Sequence, residues 1–301
     1  MQVLNTRKDY LSSIEKFNSR DLTRKALIYF DQFLSTIETN EADFMLKLKG
    51  YGQDPQLYLT LNSIVLHLIN HNLHPRTIRS YFIAIKLYLR NQGVRIYNED
   101  IKTFVKLPRI LKEAKIPLDH KTIQKLLDHA EPYLRFVILA AVSSGARISE
   151  LLQLTYGDLK YPYVHIRAET VKFGVERKTF FSSQVWQFID ALKSQSQRDN
   201  GDYVFCSNYI QKKSLDELET KFSTLRHKAG LSAKYNNSNV HTITIHRFRA
   251  FCKTMASEVC NKDYAEGLIG HEGYLGTYNS LSDEEKLNNY LKLESKFIFK
   301  I

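Results

Sequence analysis

The sequence predicts a two-domain protein, mainly α-helical, with a small antiparallel β-sheet inserted in the second domain. Three observations carry this. Apolar residues recur at helical spacing through the first third of the chain, as on a helix with one buried face. The stretch 107–120, LPRILKEAKIPLDH, breaks that pattern with Pro108 and Pro117 and few large apolar residues, as an interdomain connection does. Beyond it, two short alternating segments on either side of Gly174 sit among further helical patterns, as the strands of a hairpin would.

In the first domain, Leu22, Ala26, Tyr29 and Phe33 define a helix that Asn18 and Ser19 are placed to cap. Leu57, Leu61, Ile64 and Leu68 define a second. A third opens with Pro75 in its first turn, runs through Ile78, Phe82, Ile85 and Leu89, and ends near Gly93. Arg76, Arg79, Lys86 and Arg90 belong to this last helix, and Arg79, Lys86 and Arg90 stand off its apolar stripe. The boundaries are 1–106 for the helical domain, 107–116 for a basic linker and 117–301 for the second domain.

Leu118 and Asp119 open the second domain with a helix carrying Ile123, Leu126 and Leu127. An apolar helix spans Tyr133 to Ala141, and a short one Arg147 to Leu154. Tyr163–Arg167 and Arg177–Phe181 alternate like strands, with the turn around Phe173 and Gly174. Helices follow at 183–195, 214–229 and from Ile245 to Val259. The tail offers an N-cap within Ser280–Ser282, acidic residues in the next turn, and an apolar stripe of Leu287, Tyr290, Leu291 and Leu293, with Phe297 and Phe299 beyond.

The 301 residues carry a formal charge of +11, which favours a polyanionic partner, with nucleic acid ahead of an anionic membrane surface. Residues 1–71 are neutral, whereas 72–127 hold 12 basic against 4 acidic residues. A one-sided excess of that kind suits a phosphate-tracking surface, and a solvated helix face is the plain alternative for Arg79, Lys86 and Arg90. Three cysteines without CxxC spacing argue against a disulfide framework or a zinc site. The N-terminal stretch MQVLNTRKDYLSSIEKF has no continuous apolar core, and no run has the length of a bilayer span. A soluble, cytoplasmic protein is expected, with no metal and no cofactor, because no acidic cluster of magnesium-site type appears.

Four separated pieces carry chemistry. In SSGARISELLQL, Arg147 and Glu150 are three apart and share a helix face, so the carboxylate can fix the guanidinium where it grips an anion. In HRFRAF, His246 and Arg249 share a face in the same way. In LIGH, Gly270 stops a helix and His271 lies just outside it. A tyrosine follows, with Tyr274, Tyr278 and Tyr290 as candidates among 18 in the chain. Each piece alone admits a bland reading as a salt bridge, a helix cap or a packed ring. Their order is the specific feature.

That order resembles the tyrosine recombinase (phage integrase) family, over nearly the whole length. SSGARISELLQL is similar to the family's first arginine box, TGLRISELLxL. HRFRAF followed by GLIGH is similar to its second, HxLRH then LGH, with Phe248 for the usual Leu and Ala250 where His is common. VKFGVERKTFF resembles the β-hairpin that carries the family's catalytic lysine, which assigns that role to Lys172. HPRTIRSYFIAIKLYLR matches the last long helix of the helical, SAM-like core-binding domain. YNSLSDEEKLNNYLKLE resembles the tails of integrases from archaea and their mobile elements more than those of Xer proteins. Tyr278 follows His271 slightly sooner than is usual and fits the Tyr-x-x-x-Ser-x-Glu-Glu pattern of such tails, which favours it over Tyr274 and Tyr290.

The resemblance implies a core-binding domain, an α+β catalytic domain, and site-specific recombination of double-stranded DNA through a 3′-phosphotyrosine, without metal or ATP. Arg147, Lys172, His246, Arg249, His271 and Tyr278 would form the catalytic set. Arg76, Arg79, Lys86 and Arg90 would contact DNA. It also implies a homotetramer in the synaptic complex, with the C-terminal segment docked on a neighbouring subunit, although the same stripe could fold back on its own domain. Association with the nucleoid and encoding by a virus or mobile element would follow. A type IB topoisomerase-like enzyme and a catalytically inactive DNA-binding protein of the same fold are the alternatives.

Overall fold

The structure, a computed structural model, describes residues 6–301 apart from 53, 112, 172–173, 207–213 and 237. The chain divides into two compact units, Met1–Lys112 and Glu113–Ile301. The first is all helical among the described residues: α1 (Arg7–Ser13), α2 (Phe17–Thr36), α3 (Glu41–Tyr51), α4 (Gln56–Asn70), α5 (Pro75–Asn91) and α6 (Asn98–Phe104). Its core is built from the stripes read in the sequence. Leu57, Leu61, Ile64 and Leu68 of α4 meet Ile78, Phe82, Ile85 and Leu89 of α5, all buried. Gly93 ends α5's last turn at φ +89°, a backbone that side chains rarely adopt.

One sequence expectation fails here. Asn18 and Ser19 lie inside α2, which begins at Phe17 and has no side-chain cap. The Arg20 guanidinium closes the corner instead, donating to the Ile14 carbonyl at 3.0 and 2.7 Å. Helices α1, α3 and α6 are additions to the predicted set. Two of them start at side-chain caps, with Thr6 accepting from the Asp9 amide and Asn40 from the Asp43 amide.

The second unit holds α7 (His120–His129), α8 (Pro132–Ser144), α9 (Ile148–Leu151), α10 (Ser183–Gln195), α11 (Leu215–Lys228), α12 (Arg247–Val259), α13 (Lys262–Leu268), α14 (Glu272–Ser280) and α15 (Asp283–Leu293). Asp119 caps α7, accepting from the Thr122 amide at 2.8 Å. Helix α8 is buried almost all round, and α10 and α12 pack on it. An antiparallel sheet of β1 (Leu159–Lys160), β2 (Tyr163–Ile166) and β3 (Arg177–Phe180) runs in the order β1-β2-β3, with Tyr163 opposite Phe180 and Ile166 opposite Arg177. The predicted hairpin is therefore present, with β1 added. Lys172 and Phe173, where the catalytic lysine and the turn were expected, lie outside the described residues.

Helix α8 ends at Gly145 in the left-handed conformation, φ +60°. A Cβ there would stand 2.8 Å from Ile269 Cγ2 and 3.0 Å from Cys252 Sγ, so only glycine lets this turn pass against α12 and the end of α13. That turn delivers Ala146 and Arg147 into the centre of the unit.

In this single chain the tail folds back on its own unit, one of the two arrangements its apolar stripe allows. Ser282 and Glu285 form a capping box at the start of α15. Tyr290 stacks on Phe180 at 4.8 Å between ring centres, and Leu293 and Phe297 are fully buried. The last residues add backbone bonds: Gln184 of α10 exchanges two hydrogen bonds with Phe299 (2.6 and 2.9 Å), and Gln124 of α7 two with Lys300 (2.8 and 3.0 Å). Those paired amides hold the strand-like end where an apolar stripe alone would leave polar backbone unmatched. Leu291, counted in the stripe, is exposed.

Candidate active site

The site is assembled on one buried carboxylate. Arg147 is the N-cap of α9, and Glu150 at N3 reaches back to it: Oε2 accepts the Arg147 amide at 2.9 Å, and Oε1 accepts Nη1 at 2.6 Å. Glu150 is 1% exposed. Such a carboxylate needs its charge matched, and a second cation supplies this: Arg177 of β3 donates through Nη2 to Oε2 at 2.8 Å. Burial raises the Glu150 pKa, but Arg177 and Arg147 outweigh it and hold the carboxyl below its usual range.

Arg249 comes in from the first turn of α12. Its Nη1 donates to the Gly145 carbonyl at 2.7 Å, which ties it to the turn that precedes Arg147. Its Nη2 is buried and has no acceptor among the described residues. Burial, followed by the like charges of Arg147 and Arg177, lowers the proton affinity of this guanidinium. An arginine held so keeps its charge at neutral pH, and its free Nη2 suits an anionic acceptor.

His246 lies one turn earlier, exposed at the surface, in the electrostatic field of the same groups. Incomplete hydration of the ring, followed by the charges of Arg249, Arg147, Lys115 and Arg247, lowers its pKa. The imidazole is therefore neutral at physiological pH and able to accept a proton. His271 is the N-cap residue of α14 and is exposed. Its Nδ1 meets the carboxylate of Glu266, a buried residue that Lys253 also reaches, at 2.5 Å. With Nδ1 occupied, Nε2 is the ring atom left for a ligand.

Tyr278 sits differently. It is 1% exposed, and its hydroxyl donates to the Lys178 carbonyl of β3 at 2.9 Å. Burial raises its pKa above the usual value near 10, against the opposing charge of Arg177. Its ring crosses α13 so closely that a Cβ on Gly267 would stand 2.3 Å from the Tyr278 Cβ. Of the other candidates, Tyr274 is half-buried, and Tyr290 is buried in the stack on Phe180. The structure thus gathers Arg147, Arg249 and His246, sets His271 on the turn after α13, and holds the Tyr278 hydroxyl on a strand carbonyl.

The four basic residues of α5 divide into two kinds. Arg76 and Arg90 are exposed. Arg79 is half-buried and donates through Nε to the Pro108 carbonyl at 3.0 Å. Lys86 donates to Asn98 Oδ1 at 3.1 Å, and burial followed by the charge of Arg90 lowers its pKa.

Sequence reasoning missed Arg177, Glu266 and Lys253. Arg177 had a signal. It shares strand parity with the buried Thr179, so a charged residue stood at an inward position and called for a buried partner. Glu266 and Lys253 stand on different helices, and no spacing links them.

Residues 117–283 match the phage integrase family. A probable integrase/recombinase of Acholeplasma phage L2 is 25% identical over 201 residues, which cover 66% of this chain and 61% of that protein. The match thus spans less than two thirds of the relative. A lambda integrase (75–356) dimer bound to a COC′ core site aligns with a TM-score of 0.56 at 17% identity, covering 93% of this chain and 91% of that one. XerH recombinase bound to a palindromic difH substrate, a post-cleavage complex, aligns with a TM-score of 0.58 at 16% identity over 88% and 77%. At these identities the two structures attest the fold, mainly helical with a small antiparallel sheet. With more than half of its length matched to that family, the chain belongs to the phage integrase family.

Proposed function

We propose that the protein is a tyrosine-type site-specific recombinase that cuts and rejoins double-stranded DNA through a 3′-phosphotyrosine. One observation carries the reading. Arg249 keeps a buried, unpaired Nη2 beside Arg147, a site poised for a non-bridging phosphate oxygen. Its membership of the family supports the same chemistry.

In this mechanism Arg147 and Arg249 hold the non-bridging oxygens of the scissile phosphate, and His271 donates to one of them through Nε2. Tyr278 leaves the Lys178 carbonyl, and its oxygen attacks phosphorus as His246 takes the phenolic proton. The bond from phosphorus to the 5′-oxygen breaks, and Lys172 protonates the departing oxygen. Strand joining reverses these steps with a 5′-hydroxyl as nucleophile. The phosphotyrosine conserves the bond energy, so neither ATP nor a metal has a step to perform. The first unit, through the basic face of α5, and the second would hold the duplex together, with four protomers in the synaptic complex. The relative from a phage supports encoding by a mobile element.

The test is a covalent adduct. Nicked suicide duplexes, drawn from a random pool by binding to the protein, should trap a protein–DNA species that resists denaturation and survives excess EDTA. Strict dependence of cleavage on magnesium would overturn the mechanism. The sequestered Tyr278 hydroxyl favours a second reading, a DNA-binding protein that does not cleave. That reading predicts tight binding and no adduct on any duplex.

A further inference from the structure

Arg177 is buried to 2% exposure and lies outside the catalytic set just described. It touches three parts of the site at once. Nη2 pairs with Glu150, the residue that fixes Arg147. Nε donates to the Leu268 carbonyl at the end of α13, at 3.1 Å. Its guanidinium also backs the turn that presents His271, since a Cβ on Gly270 (φ +75°) would stand 2.8 Å from Arg177 Cζ. A side chain added to that glycine would push the turn off the guanidinium plane.

The charges at this junction are three guanidiniums, Arg147, Arg177 and Arg249, and the single carboxylate of Glu150, a net charge of two positive. A phosphodiester brings one negative charge, and the five-coordinate transition state of its displacement carries two. We propose that Arg177 is a positioning residue for strand cleavage: by matching Glu150 it leaves the charge of Arg147 available to phosphate, and it seats the Leu268–His271 turn. This inference rests on the recombinase reading above. Without Arg177, Glu150 would draw on Arg147 alone, and the junction would lack one charge in the transition state. A lost charge of this kind acts on the rate more than on ground-state DNA affinity, because the second negative charge exists only in the transition state.

The test compares wild type with Arg177→Gln, Glu150→Gln and the double variant, in single-turnover adduct formation on nicked suicide duplexes. DNA affinity and thermal unfolding are measured on the same samples. Arg177→Gln should slow adduct formation about 10- to 100-fold, with DNA affinity within about 3-fold of wild type. The double variant removes both charges of the pair and restores the net charge of two positive, so it should fold and react faster than Arg177→Gln, while staying below wild type because Glu150 no longer fixes Arg147. A purely structural role predicts the opposite, a double variant at least as slow as the single one. If Arg177→Gln does not fold, the double variant is compared with Glu150→Gln: a rate at or within about 5-fold of that single variant supports the charge balance, and a slower one overturns it. Wild-type rates in Arg177→Gln would overturn the role of Arg177 alone. A wild-type protein that forms no adduct would overturn the recombinase reading, and this inference with it.

Discussion

The hydroxyl of Tyr278 donates to the backbone carbonyl of Lys178 at 2.9 Å, which ties the last turn of α14 to β3. Two neighbouring contacts reinforce the tie. Asn279 donates to the Glu176 carbonyl at 3.1 Å, and the Lys178 ammonium pairs with Asp283 at the start of α15. A single buried hydrogen bond contributes about 1 kcal/mol, so this arrangement can open when a better environment for the phenol is offered. In the proposed reaction, attack by Tyr278 would require that opening, which would couple release of the nucleophile to β3.

The first prediction concerns acid stability. The folded pKa of Glu150 lies below its unfolded value, so the carboxylate stabilises the fold above the ordinary carboxylate range. That contribution is lost as pH falls through the folded value. Glu150→Gln should cost about 3–5 kcal/mol of unfolding free energy at neutral pH, because it strands the buried Arg177 charge. It should also flatten the dependence of stability on pH in the acid range, as measured by urea unfolding from neutral pH downwards. An unchanged acid limb would mean that the ion pair is not formed in solution.

A second prediction follows from His246. Its depressed pKa keeps the imidazole neutral, and so able to act as base, at pH values below the ordinary 6.5. The rate of adduct formation at subsaturating DNA should hold as pH falls through 6.5 and decline only at lower pH. In His246→Asn that limb should disappear along with most of the rate. A limb centred at or above 6.5 would show that the surrounding arginines do not act on this ring.

Helix α5 gives a third. Arg76 and Arg90 are exposed, whereas Arg79 and Lys86 already have partners at Pro108 and Asn98. Changing Arg76 and Arg90 together to Ala should lower the salt slope of DNA binding by roughly two units, about one for each phosphate contact. Arg79→Ala should act more on thermal stability than on the slope. An unchanged slope in the double variant would make this face merely solvated.

The tail gives a fourth. Phe297 is fully buried against Phe251 and Tyr290. Phe297→Ala should cost about 3–5 kcal/mol by urea unfolding, the usual penalty for an aromatic cavity. Truncation after Asn279 should abolish folding of the second unit. A truncated protein that folds and still binds DNA would show that the segment is free for exchange between subunits.

The sequence was most legible where one face of one element carried the information. Pro75 and Gly93 bracket α5 closely, and the i, i+3 pair Arg147–Glu150 forms as the spacing predicts. Relationships between elements were not legible. The second partner of Glu150 arrives from β3: strand parity marks Arg177 as inward, but nothing local pairs it with Glu150. Order along the chain placed Tyr278 after His271 but carried no information on where its hydroxyl points, because that depends on how Gly267 lets α13 and α14 cross. The tail's apolar stripe was visible, but its occupant was not. The partners that hold its end, the amides of Gln124 and Gln184 on Lys300 and Phe299, lie far from it in sequence.

The central claim is that Tyr278 is the nucleophile, and the most direct measurement is adduct formation by Tyr278→Phe on a nicked suicide duplex. Only a hydroxyl is lost, so the variant should fold, at a stability cost of about 1–2 kcal/mol for the unmatched Lys178 carbonyl, and should bind DNA within a few-fold of wild type. The account predicts no covalent adduct from this variant, and adducts at wild-type yield from Tyr274→Phe and Tyr290→Phe. An adduct that persists in Tyr278→Phe and vanishes in either of the other two would contradict it.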